Sequence, residues 1–150
     1  LSSNIYLVRK LADKFQEIEK THCMFETYHE LHQMTSAYDH SLSLERLKLM
    51  SEDELHQYVY KNKELHSDME RARRTKKNHF YANSGLIKLS TVHSFKGLES
   101  KTVFYLMDEK DTPEIVYTSI TRSVENLIIL DVSKQSQFSE FFSSRMSKLI

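Results

Sequence analysis

A chain of 150 residues is long enough to build one domain around a substantial core. Its 21 basic and 21 acidic side chains cancel, so any nucleic-acid surface has to be a local patch rather than a global field. The one cysteine, Cys23, excludes an internal disulfide and suits a reducing, cytoplasmic setting, and no apolar run approaches the ~18 residues that a membrane span needs.

Taken in chain order, "NIYLVR" (4–9) is a short apolar run with β-branched and aromatic members and is expected to be a buried strand. A chain that opens abruptly on such a run is expected to be a piece of something longer. "KLADKFQEIEK" follows with Leu11, Phe15 and Ile18 at helical spacing, and "CMFETY" (23–28) is a second short strand candidate. From about 29 to 77 the pattern is polar and helical. Ser51 with Glu54 three residues on is a capping-box signature, and Leu55, Val59 and Leu65 predict a partly amphipathic helix running on into "MERARRTKKNHF". Gly85 closes that segment. "LIKLS" (86–90) and "TVFYLM" (102–107) restore the strand pattern, and Asp111-Thr112-Pro113 is a natural helix start. "EIVYTSITRS" fills that helix, "NLIILD" (126–131) is a third buried strand, and "SQFSEFFSSRM" is a closing amphipathic helix. Apolar runs alternating with helices predict an α/β fold with a parallel sheet covered on both faces.

Between two of those strands lies "TVHSFKGLES" (91–100), which holds one of only two glycines in the chain. Glycine permits positive φ and close backbone approach. Lys96 supplies a charge, and Thr91, His93 and Ser94 offer donors suited to phosphate oxygens. Glu99 would repel phosphate but could accept from ribose hydroxyls. In parallel sheets binding loops sit at the carboxyl ends of strands, and 91–99 is expected at one of them. Two readings stay open on spacing alone: a phosphate-or-sugar site, or an ordinary strand-to-helix turn with solvated polar residues.

"STVHSFKGLES" together with "VYTSITRSVENLIIL" resembles motifs V and VI of the UvrD/Rep-type superfamily 1 DNA helicases, in the family's order and separated by one strand and one loop. The resemblance covers 86–131 and extends to "NIYLVRKLADKF". It implies the C-terminal, second RecA-like motor domain of an ATP-dependent DNA helicase or translocase: a RecA-like parallel sheet flanked by helices, with a small helical insertion at about 40–80. On this resemblance Arg122 is the arginine that reaches the γ-phosphate, with Thr121 beside it. Glu99 contacts the nucleotide ribose next to Gly97. Thr91 and His93 contact single-stranded DNA, with Ser94 and Lys96 on the same surface. ATP and Mg²⁺ would serve the full-length protein, none being bound by this chain alone. The implied partners are an N-terminal P-loop motor domain of the same protein and single-stranded DNA, with no membrane. The chain departs from the family in lacking G-x-x-x-x-G-K-[ST] and the adenine-side motif. The alternative is a stand-alone nucleic-acid-binding or regulatory module with the same fold and no ATPase activity.

Other signals carry less. Asp108-Glu109 ends an apolar strand like a Walker B pair, but without a P-loop it reads as a solvated loop. "RARRTKK" (71–77) holds five positive charges and is either a nucleic-acid patch or a solvated helix face. His29 and His32 lie one turn apart, yet zinc wants four ligands, or three and water, so no metal is expected. Phe138, Phe141 and Phe142 are at helical spacing and read as core. His93-Ser94 lacks a partner that would orient a base.

Overall fold

The structure is a computed structural model that describes residues 1–24, 26–82, 86–133 and 136–146. The chain is a mixed α/β protein. Among the described residues are seven helices and two small parallel sheets of two strands each. It divides into two compact units, Leu1–Val8 with Ser90–Ile150, and Arg9–Leu89. No helix among the described residues is long and apolar enough to cross a membrane.

In the first unit β3 (Ser100–Met107) pairs in parallel with β4 (Ser123–Asp131), connected by α6 (Pro113–Ile120). Ser2 adds isolated parallel bridges to Thr91 and to Leu106. The inward residues of β3, Val103, Tyr105 and Met107, are buried. Tyr105 and Met107 pack with Val92 and Val116, and with Ile115, Ile120, Phe138 and Phe142 from α6 and the start of α7 (Ser139–Met146). The opposite face is not covered as a parallel sheet would predict, because Phe104 is 55% exposed and Leu130, the β4 partner of Leu106 on the same face, is 46% exposed. β4 is therefore not the buried strand expected over 126–131. Phe138 and Phe142 join the core as expected, whereas Phe141 points outward beneath the Arg145 guanidinium.

Asp111, expected only as a helix start, is buried. Its carboxylate accepts from the Tyr105 hydroxyl, from Ser3 Oγ, and from the Asp108 N–H at 2.9 Å. Burial first, and then this bond to Asp111, push the Tyr105 phenol pKa well above its ordinary value. Glu109 is exposed, as a solvated loop predicts, but Asp108 is half-buried and accepts from Asn4 Nδ2 at 3.4 Å.

The expected strand at 4–9 is instead the start of α1 (Ile5–Glu17). Asn4 explains the difference: its side-chain oxygen takes the Tyr6 N–H at 3.0 Å and its carbonyl the Val8 N–H at 3.3 Å, the arrangement of a helix N-cap. Val8 and Ala12 are then buried four residues apart, a helical and not an alternating period. Ile18 falls beyond the helix and is exposed.

In the second unit β1 (His22–Met24) pairs in parallel with β2 (Ile87–Leu89), shorter than the strands expected over 23–28 and 86–90. The first is cut short by α2 (Tyr28–Ser36), which starts at a capping box of Thr27 and Glu30. The expected Ser51–Glu54 box opens α4 (Glu52–Lys61), after the short α3 (Leu44–Leu49). The long helix foreseen from there is broken at Asn62. Its side chain takes the N–H groups of Glu64 and Leu65, both at 3.1 Å, and starts α5 (Lys63–Ala82) in a new direction. Leu55, Val59 and Leu65 are buried as expected, together with Leu31, Leu47 and Met69. Gly85 lies outside the described residues.

Arg9 is the electrostatic centre of this unit. It is 2% exposed, and its guanidinium donates to the Glu26 carbonyl (3.1 Å), the Glu26 carboxylate (3.1 Å) and Glu52 (2.5 Å), with the Tyr28 ring 5.5 Å away. Glu26 also accepts from Arg73, whose pKa is raised chiefly by that bond. Arg73 further holds Glu70 at 2.6 Å, and Lys76 pairs with Glu30. Two charges of the 71–77 run are thus internal struts.

Two stability outcomes follow. Asp111→Ala strands the Tyr105 hydroxyl in the core and is expected to lower the unfolding free energy by about 2–3 kcal/mol in a urea titration. Glu26→Ala leaves the Arg9 charge buried with one carboxylate fewer and is expected to cost about 3 kcal/mol. A loss below ~0.5 kcal/mol in either titration would mean that the orphaned group re-pairs or reaches water.

Candidate functional site

The segment 91–99 is a tight helical turn hung from the core by two residues. Val92 and Phe95, three apart, are both buried, while His93, Ser94, Lys96 and Gly97 between and after them are exposed. Thr91 initiates the turn: its carbonyl accepts the Phe95 N–H (3.1 Å) and its hydroxyl accepts the Ser94 N–H (3.3 Å) and donates to Ser94 Oγ (3.0 Å). Two of the expected strand contacts, Thr91 and Ser94, are thereby bonded to each other, whereas His93 and Lys96 present their side chains to solvent.

Gly97 ends the turn at φ +84°, and a Cβ placed there would meet nothing within 4 Å. Within the chain itself glycine is needed for conformation and not for space. The turn then extends through Leu98 and Glu99 into β3.

At that point the second motif arrives. Arg122 follows α6 with only the C-cap Thr121 between them. Its Nη1 donates to the Leu98 carbonyl (3.2 Å), its Nε to the Thr118 carbonyl (3.1 Å) and its Nη2 to Thr121 Oγ1 (3.2 Å). Its own carbonyl accepts the Ser100 N–H at 2.9 Å. Thr121 Oγ1 lies 2.9 Å from the Tyr117 carbonyl and 3.1 Å from that of Thr118, capping the helix end. Gly97 and Glu99 therefore flank in sequence the carbonyl that Arg122 holds, Thr121 is bonded to the Arg122 fork, and Glu99 is exposed.

The location differs from the expected one. Leu98, Glu99 and Arg122 meet at the amino ends of β3 and β4, where Ser100 pairs with Ser123. Thr91 starts its turn at the level of Leu106, roughly 20 Å further along the strands at ~3.3 Å per residue. The loop thus leaves one end of the ladder and delivers its glycine and acid to the other. Thr91 is at the expected carboxyl end of the strands and Glu99 at the amino end. Sequence reading missed the Leu98 carbonyl, which has no side-chain signature, and Val92 and Phe95, whose i, i+3 spacing was visible.

Among the described residues no group of three or more His, Cys, Asp or Glu side chains gathers as a cation site would require. Compared with protein-family models, curated proteins and solved structures, the chain matches none.

Because Gly97 needs a left-handed backbone, Gly97→Ala is expected to cost about 1–2 kcal/mol. Its larger effect should be local. Amide exchange at Leu98 and Ser100 should accelerate several-fold while Tyr105 and Met107 keep their protection. Uniform acceleration across β3 would show that the turn and the ladder unfold together.

Proposed function

We propose that this chain is the second, RecA-like motor domain of an ATP-dependent DNA helicase or translocase of the UvrD/Rep type, which completes an ATP site and touches single-stranded DNA. The observation that carries the reading is the convergence of the two motif-like segments: the Arg122 guanidinium sits on the Leu98 carbonyl, between Gly97 and Glu99. In the motif resemblance these are the phosphate-side and ribose-side residues of one nucleotide.

The chemistry available to each residue is limited and specific. Arg122 has five N–H donors, three of which are used internally, so the rest of its fork is free for a phosphoryl oxygen. Its charge would stabilise the negative charge that redistributes as the terminal phosphate leaves. Glu99, exposed and acidic, would accept from ribose hydroxyls. His93 and Lys96 would meet the phosphate backbone of a strand. Two carboxylates at the end of β3 are already engaged: Asp111 accepts from Tyr105, Ser3 and a backbone N–H, and Asp108 accepts from Asn4. With no P-loop, the β/γ-phosphates and the metal would be held by the partner motor domain.

A second reading, a binding or regulatory module without ATPase activity, is favoured by one feature. Arg122 in this structure bonds its own chain, as a residue that only fastens a helix end to a loop would do.

ATP turnover separates the two. The 150-residue chain alone is expected to release no phosphate with or without DNA. In the full-length parent, Arg122→Ala is expected to lower steady-state ATP hydrolysis by about a thousandfold while nucleotide-free DNA binding persists. Arg122→Lys should restore little, because an ammonium cannot reproduce the planar fork. Near-normal turnover in a variant with an unchanged melting curve would leave the module reading standing.

A further inference from the structure

The corner between α4 and α5 carries a surface that the motor-domain reading does not use. The rings of His56, Tyr60 and His66 form a run, with centroids 4.9 Å apart between the first pair and 4.7 Å between the second, tilted by 35° and 50°. On one continuous helix Tyr60 and His66, six residues apart, would point roughly 120° apart, at 100° per residue, and lie ~9 Å apart along the axis, and could not stack. The break at Asn62 is what brings them together. Tyr60 is 60% exposed, so this stack does not serve a core.

Next to it on α5 lies an open groove of about 330 Å³ lined by His66, Ser67, Glu70, Arg71 and Arg74. Ser67, Arg71 and Arg74 follow the i, i+4, i+7 stripe of one helix face. Arg71 reaches Asp68 only at 3.8 Å, with both side chains largely in solvent, so that pair offers little competition to another anion. Asp68 is also engaged by the Tyr38 hydroxyl at 2.6 Å. Glu70, the one acid in the groove, is bonded to Arg73 at 2.6 Å, which holds its carboxyl pKa below the ordinary range.

We propose that this surface binds a single strand of nucleic acid, with bases continuing the His56–Tyr60–His66 stack and successive phosphates meeting Arg71 and Arg74. The pairing of exposed rings with cations selects the ligand. An acidic peptide would satisfy the arginines and leave the rings unused, and a duplex keeps its base faces hidden in its own stack. Aromatic stacking beside a basic track is the recognition chemistry of single strands, because every base has a π-face. The inference stands on the α4–α5 corner alone and does not depend on the motor-domain reading.

The test is an anisotropy titration of a fluorescein-labelled oligothymidylate with the whole 150-residue chain over a series of salt concentrations. Arg71→Gln with Arg74→Gln is expected to weaken binding about tenfold and to make the salt slope shallower by about 1.4, two phosphates at ~0.7 each. Tyr60→Leu is expected to weaken binding about tenfold with the slope unchanged. All three side chains are exposed, and melting curves check that the variants fold. His93→Ala with Lys96→Gln should leave both effects in place. The proposal is overturned if the wild type binds nothing at low salt, or if the Tyr60 and double-arginine variants stay within twofold of it. It is overturned equally if polyglutamate competes as well as unlabelled oligothymidylate, or if a duplex binds as tightly. If only the His93/Lys96 variant loses binding, this surface is excluded and the strand contact of the 91–97 turn stands by itself.

Discussion

The parallel pairing of β3 with β4 is the constraint on which the first unit depends. Two parallel strands need a crossover that carries the chain back to its starting end, and α6 is that crossover. The geometry leaves little freedom. Whatever precedes β3 must lie beside whatever precedes β4, so Leu98 at the end of the Gly97 turn and Arg122 just beyond the cap of α6 are neighbours although they stand 24 positions apart in sequence. The Arg122–Leu98 bond is a consequence of strand direction before it is a feature of any site. An antiparallel pair would have sent Arg122 to the opposite end of the ladder.

The same crossover is fastened at both ends by charge. At its start Asp111 is buried, a placement tolerable only because its carboxylate is fully supplied with donors, two hydroxyls and a backbone N–H. At its finish Arg122 and Thr121 occupy the carbonyls of the last turn, where a cation also meets the negative end of the helix dipole. An acid just before the helix and a base just after it match that dipole. α6 therefore needs few residues: eight suffice when both ends are held from outside the helix. A short crossover in turn keeps the ends that carry Leu98 and Arg122 close.

How much of this was legible in the sequence varies with the kind of signal. β3, α6 and the Ser51–Glu54 cap were readable because pattern and punctuation agreed over each of them. The 4–9 segment was misread because four apolar residues in a row satisfy a strand and a helix equally, and the Asn4 cap that decides between them was overlooked. The break at Asn62 has no Pro or Gly to announce it. Its asparagine signals only by taking backbone N–H groups, which is a matter of geometry. The candidate site was legible as a set of residues but not as a place. The family resemblance assigned Gly97, Glu99 and Arg122 to two motifs, yet strand direction and the Leu98 carbonyl decide where these residues meet.

Charge is the clearest case of a property that sequence states and structure redistributes. "RARRTKK" reads as one block, but on α5 its members are dealt around the helix at about 100° per residue. Arg73 and Lys76, three apart, share a side and are consumed by Glu26 and Glu30. Arg71 and Arg74, also three apart, lie some 200° round from the first pair in the same order, and it is they that line the open groove. Four of the five charges of the block are thus two pairs with opposite roles, one holding the unit together and one left facing solvent. Net charge over the run predicts neither role. The acids that α5 meets do, since a cation whose acid partner is distant and solvated, as Asp68 is for Arg71 at 3.8 Å, keeps its charge available to a ligand.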